Sequence, residues 1–189
     1  MLKTNKFYYV VIFTLLIFVT GKYHLRYNID RKFLDIENIS KDIALEAENI
    51  DVKLKYLNWI SPSFKNPKEE VETIKKALTI IKSDPRKKIL ITHYQFFSLL
   101  LNEDLNILNR WYLWDNNTHP TENHKYFKIY KEMVNKNLKK NSIEVIYLMG
   151  SKKEINFKNI ENYFDGVCFK NNILIENIFS YHEVISCKK

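Results

Sequence analysis

The chain has 189 residues, 46% hydrophobic and 28% charged, which suffices for one domain with its own core and is too apolar for a disordered segment. Its formal charge of +8 comes from 26 lysines and only four arginines set against 22 acidic residues, and the lysines are scattered, in short pairs such as Lys87-Lys88, Lys139-Lys140 and Lys152-Lys153. Nucleic-acid binders concentrate basic residues on one face and draw on arginine, so that class is excluded, while attraction to anionic lipid is retained. With three glycines the sequence holds no P-loop, Rossmann fingerprint or G-x-S-x-G elbow.

Phe7 to Thr20 carries no charge. Fourteen helical residues span only about 21 Å of a hydrocarbon core ~30 Å thick, but extension to Tyr27 reaches the required length. Tyr8, Tyr9, Tyr23 and Tyr27 then fall toward the interfaces, and Lys22 and Arg26 can snorkel. Residues 1–27 are therefore read as a membrane anchor with a transmembrane helix over about 7–27. The competing readings are a cleaved signal peptide, with Lys3 and Lys6 as its basic start and Val19-x-Gly21 as its cleavage site, and a buried helix of a soluble fold. The charges flanking the helix favour a cytoplasmic carboxyl domain, although a long following domain weakens that rule.

Residues 28–66 read as a charged helical neck. Asp30, Arg31, Lys32, Asp35 and Glu37 surround Ile29, Phe33 and Ile36, and Ser40 caps a helix from Lys41 to about Asn49. Trp59 lies in a turn that anchors an aromatic side chain. Residues 67–189 form the α/β soluble domain. Asn66-Pro67-Lys68-Glu69 starts a helix, with Val71, Ile74, Leu78 and Ile81 as its stripe, and Ser83-Asp84-Pro85 ends it. Lys88 to His93 is the first strand, Glu122 to Lys140 the next helix, and Ile143 to Met149 a second strongly apolar strand. Strand, helix, strand in this order implies a parallel crossover. In the tail a short helix is expected over Asn156–Phe164, and short strands at Val167–Phe169 and His182–Ile185 with a helix over about Asn172–Phe179 between them. The fold class is α/β, a small, mostly parallel sheet flanked by helices.

Cys168 and Cys187 are nineteen positions apart, with no C-x-x-C, which argues against structural zinc. They form one disulfide outside the cytoplasm or remain two buried thiols, and the second is the reading taken.

Ligands of open α/β sheets bind beyond the carboxyl ends of the strands, so the segment after the first strand is the expected site. His93 directly follows that strand and can bind a phosphate or act as a base, or simply fix the loop. Gln95 stands beside it. Arg110, one of four arginines, sits against Trp111 and Tyr112. Its planar fork suits a phosphate, a carboxylate or an ion pair with Asp104 or Asp115. Trp111 and Trp114 beside Asp115, Asn116, Asn117 and His119 have the residue types of a carbohydrate surface, and equally those of a packed loop. The candidate substrate-binding residues are His93, Gln95, Arg110, Trp111, Asp115 and His119. No metal or cofactor is expected, because His119 and His124 are five apart and miss the zincin spacing.

One further pattern is the order Lys22-Tyr23-His24-Leu25-Arg26-Tyr27-Asn28, Arg31-Lys32-Phe33, Trp59-Ile60-Ser61-Pro62, Ile91-Thr92-His93-Tyr94-Gln95, Asn109-Arg110-Trp111-Tyr112 and His119-Pro120. It resembles the carboxyl-terminal soluble tail of multi-span bacterial membrane proteins related to GT-C-type glycosyltransferases, including family-39 and aminoarabinose-transferase-like enzymes. The resemblance implies a polyprenyl-phosphate sugar or glycan as ligand, a membrane-embedded partner subunit, and a single-pass chain in the bacterial inner membrane with its soluble domain in the periplasm. It also implies catalytic acids in an early loop between membrane spans, and this chain has one candidate span and no such loop. The expected function is thus assistance in binding a lipid-linked sugar or acceptor, without catalysis by this chain alone. A membrane-tethered protein-interaction module is the alternative, and a small independent hydrolase or transferase using His93 and Asp115 a third.

Overall fold

The computed structural model describes residues 6–30, 41–60, 66–109, 119–150, 156–176 and 178–187. Helix α1 spans Lys6–His24 and runs on through a wider helical turn, Leu25–Asp30, and none of its residues is buried by the rest of the chain. The 22 residues from Lys6 to Tyr27 are long and apolar enough to cross a bilayer, at about 33 Å for 1.5 Å per residue. Thr14 donates its hydroxyl to the Val10 carbonyl, so this side chain needs no water.

The described part of the neck corrects the expected helix over 41–49. Two single turns of 3₁₀-helix (Lys41–Ile43 and Ala47–Asn49) flank strand β1, Leu45–Glu46, which pairs antiparallel with β2, Asn58–Trp59. Ala47, Ile50 and Leu54 are buried in the main core. A single helix over 41–49 could not pair Leu45 with Trp59, and long-range pairing outweighs local propensity here.

Helix α2, Pro67–Ser83, begins as its sequence dictates: Asn66 caps it by accepting from the Lys68 amide (3.0 Å). Glu70, in the first turn, is buried and accepts from Trp59 Nε1 (2.8 Å) and from the Tyr94 hydroxyl, which pins β2 and the end of the first long strand to α2. The positive end of the helix favours a carboxylate there.

Strand β3 is Lys88–Thr92, helix α3 Phe97–Leu101, helix α4 Phe127–Lys140 and strand β4 Val145–Met149. β3 and β4 are fully buried and parallel, with Lys88 opposite Val145 and Thr92 opposite Met149. Helix α5, Phe157–Ile160, extends into a 3₁₀ turn to Tyr163, and is followed by β5, Cys168–Ile175, and β6, Phe179–Ile185. The sheet order is β3-β4-β6-β5. β6 is antiparallel to both β4 and β5, so the sheet is mixed rather than mostly parallel. The stretch expected as a helix, Asn172–Phe179, is instead the end of β5, the connection and the first residue of β6. Its alternating isoleucines suit a pleated surface, and pairing with β4 decides the outcome.

Each sheet face packs its own core. Leu90, Val145, Tyr147, Met149 and Phe179 meet α2 and α3 on one side. Ile89, Ile91, Ile146 and Leu148 meet α4 and α5 on the other. Helices on both faces account for the continuous apolar strands.

Lys88 is buried rather than a solvated lysine: its ammonium donates to the Asp84 (2.6 Å) and Ile81 (3.2 Å) carbonyls and to Glu103 (2.8 Å). Beside it, Asp84 accepts a two-pronged bond from Arg86 (2.9 and 2.8 Å) and one from the Tyr147 hydroxyl, and Arg86 also reaches Glu183 on β6 (3.2 Å). Burial alone would raise the Asp84 pKa, but these bonds outweigh it and lower it from 3.8 to about 2. Its stabilisation is complete above pH 3.8 and is lost as pH falls toward 2, an expected loss of roughly 2 kcal/mol. Circular dichroism across that acid limb checks this, and Asp84→Asn should flatten it.

The cysteines are joined, which corrects the free-thiol reading. Cys168 opens β5, Cys187 lies just past β6, and their Cα atoms are 5.0 Å apart. Hairpin pairing, set by distant contacts, brings them together.

Candidate functional site

The parallel pair β3–β4 places His93 and Gly150, the residues that follow each strand, on one rim of the sheet. His93 is exposed in the turn after β3, its ring against Tyr94 (4.7 Å between centroids). Gln95 is half-buried and donates to the Thr92 carbonyl, which closes the turn. His119 is in the interior. Its Nε2 lies 3.1 Å from Asn109 Nδ2, its ring abuts Tyr130 and Tyr163, and the Tyr163 hydroxyl donates to the Pro120 carbonyl (2.9 Å). The space beside His119 is about 10 Å³, no more than a water. His119 and Asn109 flank the segment 110–118. Arg110, Trp111 and Asp115 lie outside the described residues.

The larger cavity opens on the same rim, at the end of β4 and on the α5 side of the sheet. It is a groove of about 370 Å³, walled by the β5–β6 hairpin and α5. Neither His93, Gln95 nor His119 lines it. Its apolar floor includes Leu148 and Phe157. Its polar rim is rich in amides, with Asn156, Asn171 and Asn172, and carries the charged Lys158 and Glu161.

At one wall is a connected polar triplet. Ser180 and His182 alternate onto the same face of β6, and Asn171 sits directly across from His182 on β5. With the proton on Nδ1, the imidazole donates to Asn171 Oδ1 (2.7 Å) and accepts from Ser180 Oγ at Nε2 (3.1 Å). The ring lies flat on Phe157, 3.7 Å between centroids and 6° between planes. Burial lowers the His182 pKa from 6.5 to about 4, so the ring is neutral at physiological pH.

A nucleophile bonded to a base, itself oriented by a third group, is the layout of a hydrolytic triad. Two features separate this triplet from one. The third member is an amide, which brings no charge to stabilise an imidazolium, and burial opposes forming that cation. The arrangement instead suits hydrogen bonding to a neutral, hydroxyl-bearing ligand above an apolar floor.

A second depression of about 260 Å³ lies on the other side of α5, and Lys158 lines both. The fold is thus a mixed α/β domain behind an apolar helix, with an amide-rich groove at the end of its central strand. No protein-family model, no curated protein and no solved structure matches the chain.

Proposed function

We propose that this chain is a membrane-tethered domain that works outside the cytoplasm and holds a sugar or a polyprenyl-phosphate sugar for an envelope glycosyltransferase-type system. Transfer chemistry belongs to a membrane-embedded partner subunit, and the setting is the bacterial inner membrane with the domain in the periplasm. The observation that carries the reading is the groove: amides and a hydroxyl for ligand hydroxyls, an apolar floor for the sugar ring, and Lys158 at the rim for a phosphate. The Cys168–Cys187 bond favours an oxidising compartment, since cytosolic thiols stay reduced. The length and apolar composition of α1 favour retention in the bilayer. The link to glycosyltransferases rests on the sequence resemblance.

The test is anisotropy of a fluorescent polyprenyl-phosphate hexose with the full chain in nanodiscs. Lys158 is exposed, so Lys158→Glu should leave the fold intact while weakening binding at least about tenfold, the size of a lost charge-assisted hydrogen bond. A folded protein that binds neither this ligand nor the free glycan overturns the proposal.

A further inference from the structure

Helix α4 buries one side and leaves the other uncovered. Val134 and Leu138 are buried beneath it. On the outer side Tyr126, Ile129 and Met133 are 54%, 65% and 46% exposed, an apolar stripe at helical spacing. Lys136 and Lys140 flank the stripe, with Lys128 and Lys139 farther round and Lys125 at the start, and all five are exposed. Glu132 is the one acidic residue on this face. Among the described residues none of the five lysines has a carboxylate partner, and Lys125 lies over the Tyr126 ring, 4.8 Å from its centroid.

We infer that the outer face of α4 docks the domain on the anionic phospholipid surface of the membrane that holds α1. An apolar stripe edged by lysines is the pattern of a helix lying in the headgroup plane, where the stripe enters the acyl boundary and the ammonium groups meet phosphates. Charge complementarity selects the occupant: a net-basic face has no electrostatic reason to meet a second copy of itself. Tethering raises the local lipid concentration, so one helix face suffices where it would be too weak for a free protein. The inference rests on the reading that α1 stays in the bilayer.

The experiment uses the full chain with a fluorophore on a cysteine introduced by Ile129→Cys, by Leu99→Cys or by Ile17→Cys, the native disulfide left intact. Leu99 is 62% exposed and belongs to α3, on the opposite sheet face. Vesicles contain phosphatidylcholine alone or mixed with phosphatidylglycerol. Position 17 should report acyl chains in both. Position 129 should shift to the blue and become quenchable by lipid only with phosphatidylglycerol, and position 99 should stay in water. The docked fraction should fall at about 1 M salt, where the screening length is ~3 Å. It should also fall roughly fivefold in docked-to-undocked ratio for each of Lys128, Lys136, Lys139 and Lys140 replaced by glutamine.

A lipid-embedded position 17 with position 129 in water in anionic vesicles overturns the docking and leaves the tether standing. Position 17 in water overturns both. A blue shift at 129 in detergent that grows with protein concentration assigns the face to a second copy and overturns the inference.

Discussion

Breaking the Cys168–Cys187 bond is expected to cost about 3 kcal/mol, the loop-closure entropy for a nineteen-residue separation. β5 is the outermost strand, and its one neighbour in the sheet is β6. The bond closes the open end of that hairpin, so reduction frees an edge strand held from one side only. β5 also supplies Asn171, so the groove wall loosens with the hairpin. For a urea dependence near 2 kcal/mol/M, the unfolding midpoint should drop by roughly 1–2 M in reductant. Replacement of both cysteines by serine should give the same drop with no further effect of reductant. An unchanged midpoint would mean that the hairpin is held by its ladder and side chains alone.

Acid should act through His182 before it reaches the carboxylates. Its pKa is 6.5 in an ordinary environment and about 4 when buried against Phe157. Between those values the unfolded chain holds a proton that the folded chain does not, so stability rises with pH across the window. It is fully present above pH 6.5 and falls by about 3 kcal/mol as pH drops to 4. The Asp84 cluster then loses its contribution in a separate, lower step toward pH 2. His182→Gln keeps a donor and an acceptor but does not titrate, so chemical denaturation of that variant should be flat between pH 6.5 and 4. A variant as acid-sensitive as the parent would place the titrating group elsewhere.

The central helix and strands were legible because their local signals agree with their global roles. Asn66 and Pro67 start α2, and the stripe from Val71 to Ile81 is the side it buries. The apolar runs at Ile89 and Val145, with a helix between, required a parallel pair, and that pairing is found. The hairpin was not legible. Ile173, Leu174, Ile175 and Ile178 are as apolar as a short helix face, and what makes them strand and turn is β6 adding to β4, a contact no local window contains. The disulfide follows from that hairpin and was hidden for the same reason.

The groove opens on the rim where the site was expected, but His93, Gln95 and His119 do not line it, and Arg110, Trp111 and Asp115 lie outside the described residues. His93 and Gly150 do share the carboxyl end of the parallel pair. His119 was drawn in by its residue type and proves to be packed against tyrosines. Ser180, His182 and Asn171 come from the hairpin: the strand expected at His182–Ile185 lies within β6, and the alternation Ser180-x-His182, just past the expected helix, was the surviving signal. Asn156 and Lys158 sit at the start of α5, where the sequence marked a helix but gave no reason to suspect a groove.

The account depends most on where the domain resides and in what redox state. Spheroplasts carrying the full chain, treated with a thiol-blocking reagent and then with protease, should yield from the membrane fraction a peptide pair linked through Cys168 and Cys187, with the domain cleaved from outside. A protected domain with both thiols alkylated would contradict the account.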